Sequence, residues 1–291
     1  MGGTDMKQDR LTLTAGFFPA VLMGLLLLLE GVQTRVELTP WALLAAAAGA
    51  YVLPTLILRL IPGSDGERCR LRFRPFKRQA VPFVLWISLA GALLAALANS
   101  GLSLLLGQSY YAESAGWQPD SVWQGIALAV LLPAVMEELF FRGAVFSALE
   151  RGGTWPALIL TSAAFAMIHG DLSNLAGPLL AGMLYAYLTY TLDSVWPAIF
   201  AHLVNNSLYL FLSYAAKTYA ALGVWPYMLL IALFLFCLFL ALAMRSLEKL
   251  IEKGRIRRFQ YRGLRQGLIN GFISPGMWLL LILFLARVLY Q

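Results

Sequence analysis

The sequence predicts an all-α protein, a polytopic transmembrane helix bundle of about eight or nine spans. Three observations carry that expectation. Hydrophobic residues make up 60% of the 291-residue chain and charged residues only 13%, whereas a soluble globule is roughly 45–50% apolar and about 25% charged. The apolar residues gather in runs comparable with the ~17–25 residues a helix needs to cross a bilayer. The charged residues gather between those runs, with six of the 22 Lys and Arg in ERCRLRFRPFKR (67–78) and eight in RSLEKLIEKGRIRRFQYRGLR (245–265).

Taken in order, the first run, Leu11 to Leu29, follows a charged start (Lys7, Arg10) as a secretory signal would. No convincing small-residue cleavage site follows it, so a retained helix over 11–30 is expected. MGGTDM places Met6 where a myristoylation signal needs Ser or Thr. Further helices are expected at 40–61, 81–106, 121–148, 155–169, 176–192, 195–214, 225–244 and 273–290. The basic segments 67–78 and 245–265 should face the cytoplasm of a cell-membrane protein, because Lys and Arg concentrate on that side. The opposite loop GQSYYAESAGWQPD (107–120) is poor in Lys and Arg and carries Tyr and Trp, as an interfacial segment should. Helices 155–169 and 176–192 are short and joined by the polar HGDLSN (169–174), so they could end at the surface or inside the bundle. Leu247, Leu250 and Ile251 beside Glu248, Lys249 and Lys253 suggest a short amphipathic helix on the inner membrane face, or else a solvated charged one.

No internal repeat or low-complexity linker divides residues 1–291, so one integral membrane domain is expected, with 121–210 as its core. The net charge of +7 and pI near 9.5 fit anchoring to anionic lipid headgroups better than nucleic-acid binding, because the basic residues sit beside apolar spans. Cys69 and Cys237 read as two free thiols, with no disulfide framework or CxxC motif.

Against this background VMEELFFRGAVF (135–146) is anomalous. A charge near a helix centre costs roughly 2.5–3.5 kcal/mol on insertion scales, so intramembrane charges point to function and face the bundle interior. Glu138 and Arg142 stand at i and i+4 in the favourable order for a helical ion pair. Glu137 points about 100° away from Glu138 and is left over, a carboxylate suited to general acid or base work in a low-dielectric site. The two histidines of the chain, His169 in FAMIHGD and His202 in FAHLVNNS, fall in the same apolar region. His202 and Asn206 share a helix face at i and i+4, so ring and carboxamide can address one point, and Asn205 is the weaker candidate.

Three chemistries are open to Glu137, His169, His202 and Asn206. Glu137 and His169 could hold and deprotonate a water that attacks a carbonyl, with His202 and Asn206 donating to the oxyanion. A Glu and two His could instead bind a divalent metal such as zinc, although the HExxH spacing is absent. A proton or ion pathway is the third, but few charges occur in the other spans. Ser162, Ser173 and Ser207 lie near these motifs without a GxSxG elbow, which leaves a serine nucleophile without context.

EELFFRG, FAMIH and HLVNN, in that order, resemble the EExxxR, FxxxH and HxxxN motifs of the CAAX prenyl protease 2 family, also called CPBP or Abi intramembrane proteases. The resemblance covers roughly 121–210. It implies a glutamate-type endopeptidase in which Glu137 and His169 activate water and His202 and Asn206 form the oxyanion site. Glu138 and Arg142 would be a supporting pair and Phe165 a packing residue. No cofactor is implied, although earlier views of the family assumed a metal. The implied partner is a membrane-associated protein or peptide substrate, which need not be prenylated, since extra spans flank the motifs here. The competing reading is a non-catalytic membrane adaptor or immunity protein. Because Arg142 approaches the inner end of its span, access from the cytoplasm is expected.

Overall fold

The computed structural model describes residues 10–36, 38–107, 122–219, 225–259 and 264–290. The described residues are helical, with no strand among them. The helices are α1 (Arg10–Ala15), α2 (Phe18–Gln33), α3 (Pro40–Leu60), α4 (Val81–Leu105), α5 (122–149), α6 (Thr154–Ile168), α7 (Ala176–Leu192), α8 (Trp196–Tyr219), α9 (Trp225–Glu252), α10 (Leu264–Ile273) and α11 (Pro275–Tyr290). Each of the nine expected helices is present. The expected interfacial loop 107–120 lies, apart from Gly107, outside the described residues.

Five of the described helical stretches are long and apolar enough to cross a membrane, or six if the bent pair α10 and α11 counts as one. That is fewer than eight or nine, and the reason is local. α6 has only 15 residues, α7 carries Tyr185, Tyr187, Thr189, Tyr190 and Thr191, and α8 carries His202, Asn205, Asn206 and Ser207. These three helices contain two of the sequence-identified motifs.

α3 begins cleanly because Thr39 accepts a hydrogen bond from Ala42 N at 3.2 Å and Pro40 occupies the first turn, where a missing N–H costs nothing. α4 is the central strut and packs against α7, α8 and α9. Its Ala90, Ala92 and Ala95 are buried, and small residues of this kind let membrane helices approach closely. α9, by contrast, runs along the outside with Leu229, Leu230 and Phe234 exposed, as a lipid-facing helix requires. Its ring contact to α4 is Phe239 stacked on Trp86.

Two expectations change here. The segment around Leu247 to Ile251 is not a separate helix lying flat, since α9 continues unbroken to Glu252 and buries Leu250. Residues 264–273, most of which fall between the expected basic loop and the last expected helix, are helical and meet α11 at a 57° bend. Pro275 at the start of α11 explains the break.

Both basic segments meet at one end of the bundle, as their shared side requires. The turn between α7 and α8 places Asp193 in the left-handed region (φ 48°), a conformation Asp tolerates better than most residues. Arg72 Nε reaches Asp193 Oδ1 at 3.2 Å and Arg257 Nη1 reaches it at 3.0 Å. Arg72 also pairs with Glu150 at 2.5 Å, and its backbone carbonyl accepts from Val195 N. Nearby Arg151 pairs with Asp65 and holds that carboxyl below its ordinary range. Cys69 is buried in the same segment, Cys237 is exposed on α9, and both are free.

The basic end is therefore riveted by Arg72, whose side chain is 5% exposed, while Arg70, at 77%, pairs with exposed Glu67. Arg72→Ala should lower the thermal midpoint in detergent by an amount equivalent to about 1–3 kcal/mol, and Arg70→Ala should leave it nearly unchanged.

Candidate active site

α5 is not a regular α-helix. It widens into π-helical turns at Ile126–Leu131 and Leu139–Val145, on either side of Leu132–Glu138. Such turns are rare and concentrate at functional sites. Pro133 has no N–H to give the carbonyl four residues back, and that carbonyl, Ala129 O, accepts from Asn206 Nδ2 at 3.0 Å. The bond ties α8 to α5 close to the motif residues of each.

Glu137, His169, His202 and Asn206 all line one cavity of about 240 Å³. Residues up to 69 apart in the chain are thus brought to one space. Glu137 lies on the middle of α5 with its side chain 14% exposed. His169 closes the C-terminus of α6, where Nδ1–H donates to Phe165 O at 2.8 Å. That bond leaves Nε2 with its lone pair free to accept. His202 is 3% exposed; its Nδ1–H donates to Glu138 Oε1 at 2.9 Å, and its Nε2 stands 3.9 Å from Glu137 Oε2. Asn205 lines the cavity as well and donates to Asn206 Oδ1 at 3.4 Å, a closer involvement than its position on an ideal helix suggests.

Glu138 and Arg142 lie behind the cavity, both fully buried, with Arg142 Nη1 3.1 Å from Glu138 Oε1. Arg142 Nη2 donates to Gly182 O on α7 at 3.1 Å, and the guanidinium lies 4.4 Å over the ring of Phe165. The supporting pair is therefore present and does more than the sequence suggests, since Glu138 also holds His202. Phe165 packs edge-on to both catalytic-candidate histidines, with ring centroids 5.1 Å from His169 and 5.7 Å from His202.

Several participants escape the sequence reading. Tyr51 on α3 donates to Glu137 Oε1 at 3.3 Å, so the left-over carboxylate has a partner from outside the motif region. Tyr185 stacks on His202 at 5.1 Å. Asn99 on α4 donates to Asn174 Oδ1 at 2.8 Å and accepts from Gly177 N at 2.6 Å, which pins the link that comes after His169. Only the single Asn within an apolar run could have signalled Asn99, and Tyr in an apolar helix is too common to signal anything.

The placement of the cavity bears on the side of access. Its walls are Ala92, Asn99, Ala129, His169, Asn174, Gly177 and Tyr209 among others, residues of the half of the bundle away from the basic segments. Arg142 points behind the cavity and seals that side. Among the described residues, no group of three or more His, Cys, Asp or Glu side chains is arranged to hold a metal ion.

Residues 119–208 match the family model described as type II CAAX prenyl endopeptidase Rce1-like, which encloses all three motifs. The family resemblance read from EELFFRG, FAMIH and HLVNN is thereby shown for this region. Among curated proteins, the chain is similar to "Putative membrane peptidase YdiL" of Bacillus subtilis (strain 168), with 25% identity over 178 residues, 57% of this chain and 68% of that protein. No solved structure matches.

Because Glu138 is 0% exposed, removing its cation strands a buried carboxylate, which costs about 3–5 kcal/mol. Arg142→Ala should therefore destabilise the purified protein strongly in thermal unfolding, whereas Glu137→Gln should leave the midpoint close to wild type.

Proposed function

We propose that the protein is an intramembrane endopeptidase of the CPBP type that hydrolyses a peptide bond of a membrane-associated protein or peptide. One observation carries the reading: Glu137, His169, His202 and Asn206 line a single cavity, in the order and residue types of the three family motifs. The resemblance to a protein described as a membrane peptidase supports the same class.

The chemistry rests on the partners of each group. Glu137 and the free Nε2 of His169 orient a water, and Glu137 takes one of its protons as the oxygen attacks the substrate carbonyl carbon. The C–O bond forms and the carbonyl π pair moves to oxygen. Asn206 Nδ2 and His202 Nε2 donate to that oxyanion. His202 already gives its Nδ1 proton to Glu138, so the bond from Nε2 needs a second ring proton. Glu138, hydrogen-bonded to Nδ1, supplies the negative charge beside it. Collapse breaks the C–N bond, and Glu137 returns its proton to the leaving amine. The products are a new carboxyl end and a new amino end, with no covalent enzyme intermediate.

The segments 67–78 and 245–265 are assigned to the cytoplasmic face of the cell membrane by their Lys and Arg, with anionic lipid headgroups as their partners. The water is activated by side chains alone, without a resident metal or other cofactor.

Purified protein cleaving a membrane-peptide library should lose about 10²–10⁴-fold in rate on Glu137→Ala or His169→Ala. Asn206→Ala should cost about 10²–10³-fold. No cleavage by the wild-type protein, together with a cellular phenotype that survives both Glu137→Ala and His169→Ala, would instead support a non-catalytic adaptor. Rigorous chelation should leave the rate unchanged; stoichiometric zinc that tracks activity would replace this mechanism with a metal-dependent one.

A further inference from the structure

We propose that the cavity is entered from the membrane face opposite the two basic segments, so that its substrate is an extracytoplasmic peptide segment rather than a cytoplasmic one. This rests on the peptidase reading of Glu137, His169, His202 and Asn206 and adds a side to it.

The directions of the helices make the case. α4 leaves the basic end at Val81, so Asn99 lies roughly 27 Å along it at 1.5 Å per residue. α6 leaves the same end at Thr154, beside the Glu150–Arg72 pair, and its 15 residues carry His169 roughly 22 Å away. α8 starts at Trp196, whose indole N–H donates to Phe73 O in the basic segment, so Tyr209 stands roughly 20 Å further on. All three walls rise away from the basic end. α6 is shorter than the ~30 Å hydrocarbon core, which sinks His169 below the far surface rather than exposing it there.

Towards the basic end the space is closed. Glu138 and Arg142 are fully buried, and Phe165 and Tyr185 are 2% and 1% exposed. Entry by that route would break a buried ion pair and unstack Tyr185 from His202. Towards the far end the lining turns polar, with Asn99, Asn174, Asn205 and Tyr209, and carboxamides and hydroxyls suit the N–H and C=O groups of an extended peptide. Few Lys or Arg, Arg35 and Arg287 among them, lie towards this end, against fourteen of the 22 in the two basic segments. That bias assigns the basic end to the cytoplasm and the open end to the outside.

The test uses the full chain with Cys69→Ser and Cys237→Ser, carrying either Leu172→Cys, 40% exposed in the link after His169, or Ser64→Cys, exposed before the first basic segment. Cells expressing each are treated with a membrane-impermeant maleimide before and after permeabilisation. Leu172→Cys should label equally in both, and Ser64→Cys only after permeabilisation. The reverse pattern, or labelling of both sites in intact cells, overturns the proposed side. Peptide ends that are present with wild type and lost with Glu137→Ala should then map to extracytoplasmic segments. Ends in cytoplasmic segments overturn the substrate inference. Loss of no ends at all overturns the peptidase reading itself, while the labelling still decides the side.

Discussion

The buried pair of Glu138 and Arg142 is the constraint around which the bundle is arranged. Neither side chain has any exposure, and in a low-dielectric interior each charge needs full compensation. The compensation comes from four helices. α5 supplies both charges, α7 supplies Gly182 O, α6 supplies the face of Phe165, and α8 supplies His202 Nδ1. A Cβ at Gly182 would approach Arg142 Nη2 to 3.2 Å and the Ser162 backbone to 3.1 Å, so the glycine leaves room for the guanidinium. One ion pair thereby fixes the relative positions of the helices that carry the catalytic candidates. Because Glu138 holds His202 by Nδ1, the other ring nitrogen is presented to Glu137 and the cavity, and structural and chemical roles share a single carboxylate.

The π-helical turns of α5 complement this. They lie on both sides of Leu132–Glu138, and a π turn holds more residues than an α turn, which rotates the side chains beyond it about the helix axis. The carbonyl of Ala129 accepts from Asn206. A polar group inside hydrocarbon needs such a partner, and here the partner is a site residue. The irregular backbone and Asn206 satisfy each other, so Asn206 is positioned by the α5 backbone as well as by its own helix.

Much of this is legible in the sequence because intramembrane polar residues are so costly. Glu137, Glu138, Arg142, His169, His202 and Asn206 stand out in apolar runs, and the i, i+4 spacing of Glu138 and Arg142 forecasts a pair that exists. Helix positions come from apolar run length. The illegible part depends on distance in the sequence: Tyr51 meets Glu137 across 86 positions and Asn99 meets Asn174 across 75, and no local pattern encodes either contact. The π turns of α5 are equally hidden, since sequence spacing assumes ideal helical geometry. The side of access is hidden for a related reason. In the sequence Arg142 stands near the inner end of its span, whereas in the fold it is fully buried against Glu138.

The reduced number of apolar spans has the same origin as the site. The cavity is lined by Asn, His, Tyr and Glu side chains, and each lowers the apolarity of the helix that bears it. α6, α7 and α8 are short or polar for that reason and could not face lipid on all sides. Their place is set by the apolar stretches that flank them in the chain: α1 together with α2, α3, α4 and α9 have the length and hydropathy to cross a membrane, and α9 turns exposed apolar side chains outward. The chain thus separates two solvent problems. Peripheral helices satisfy the bilayer, and the helices of the matched region, α5 among them also apolar enough to span, enclose the polar cavity.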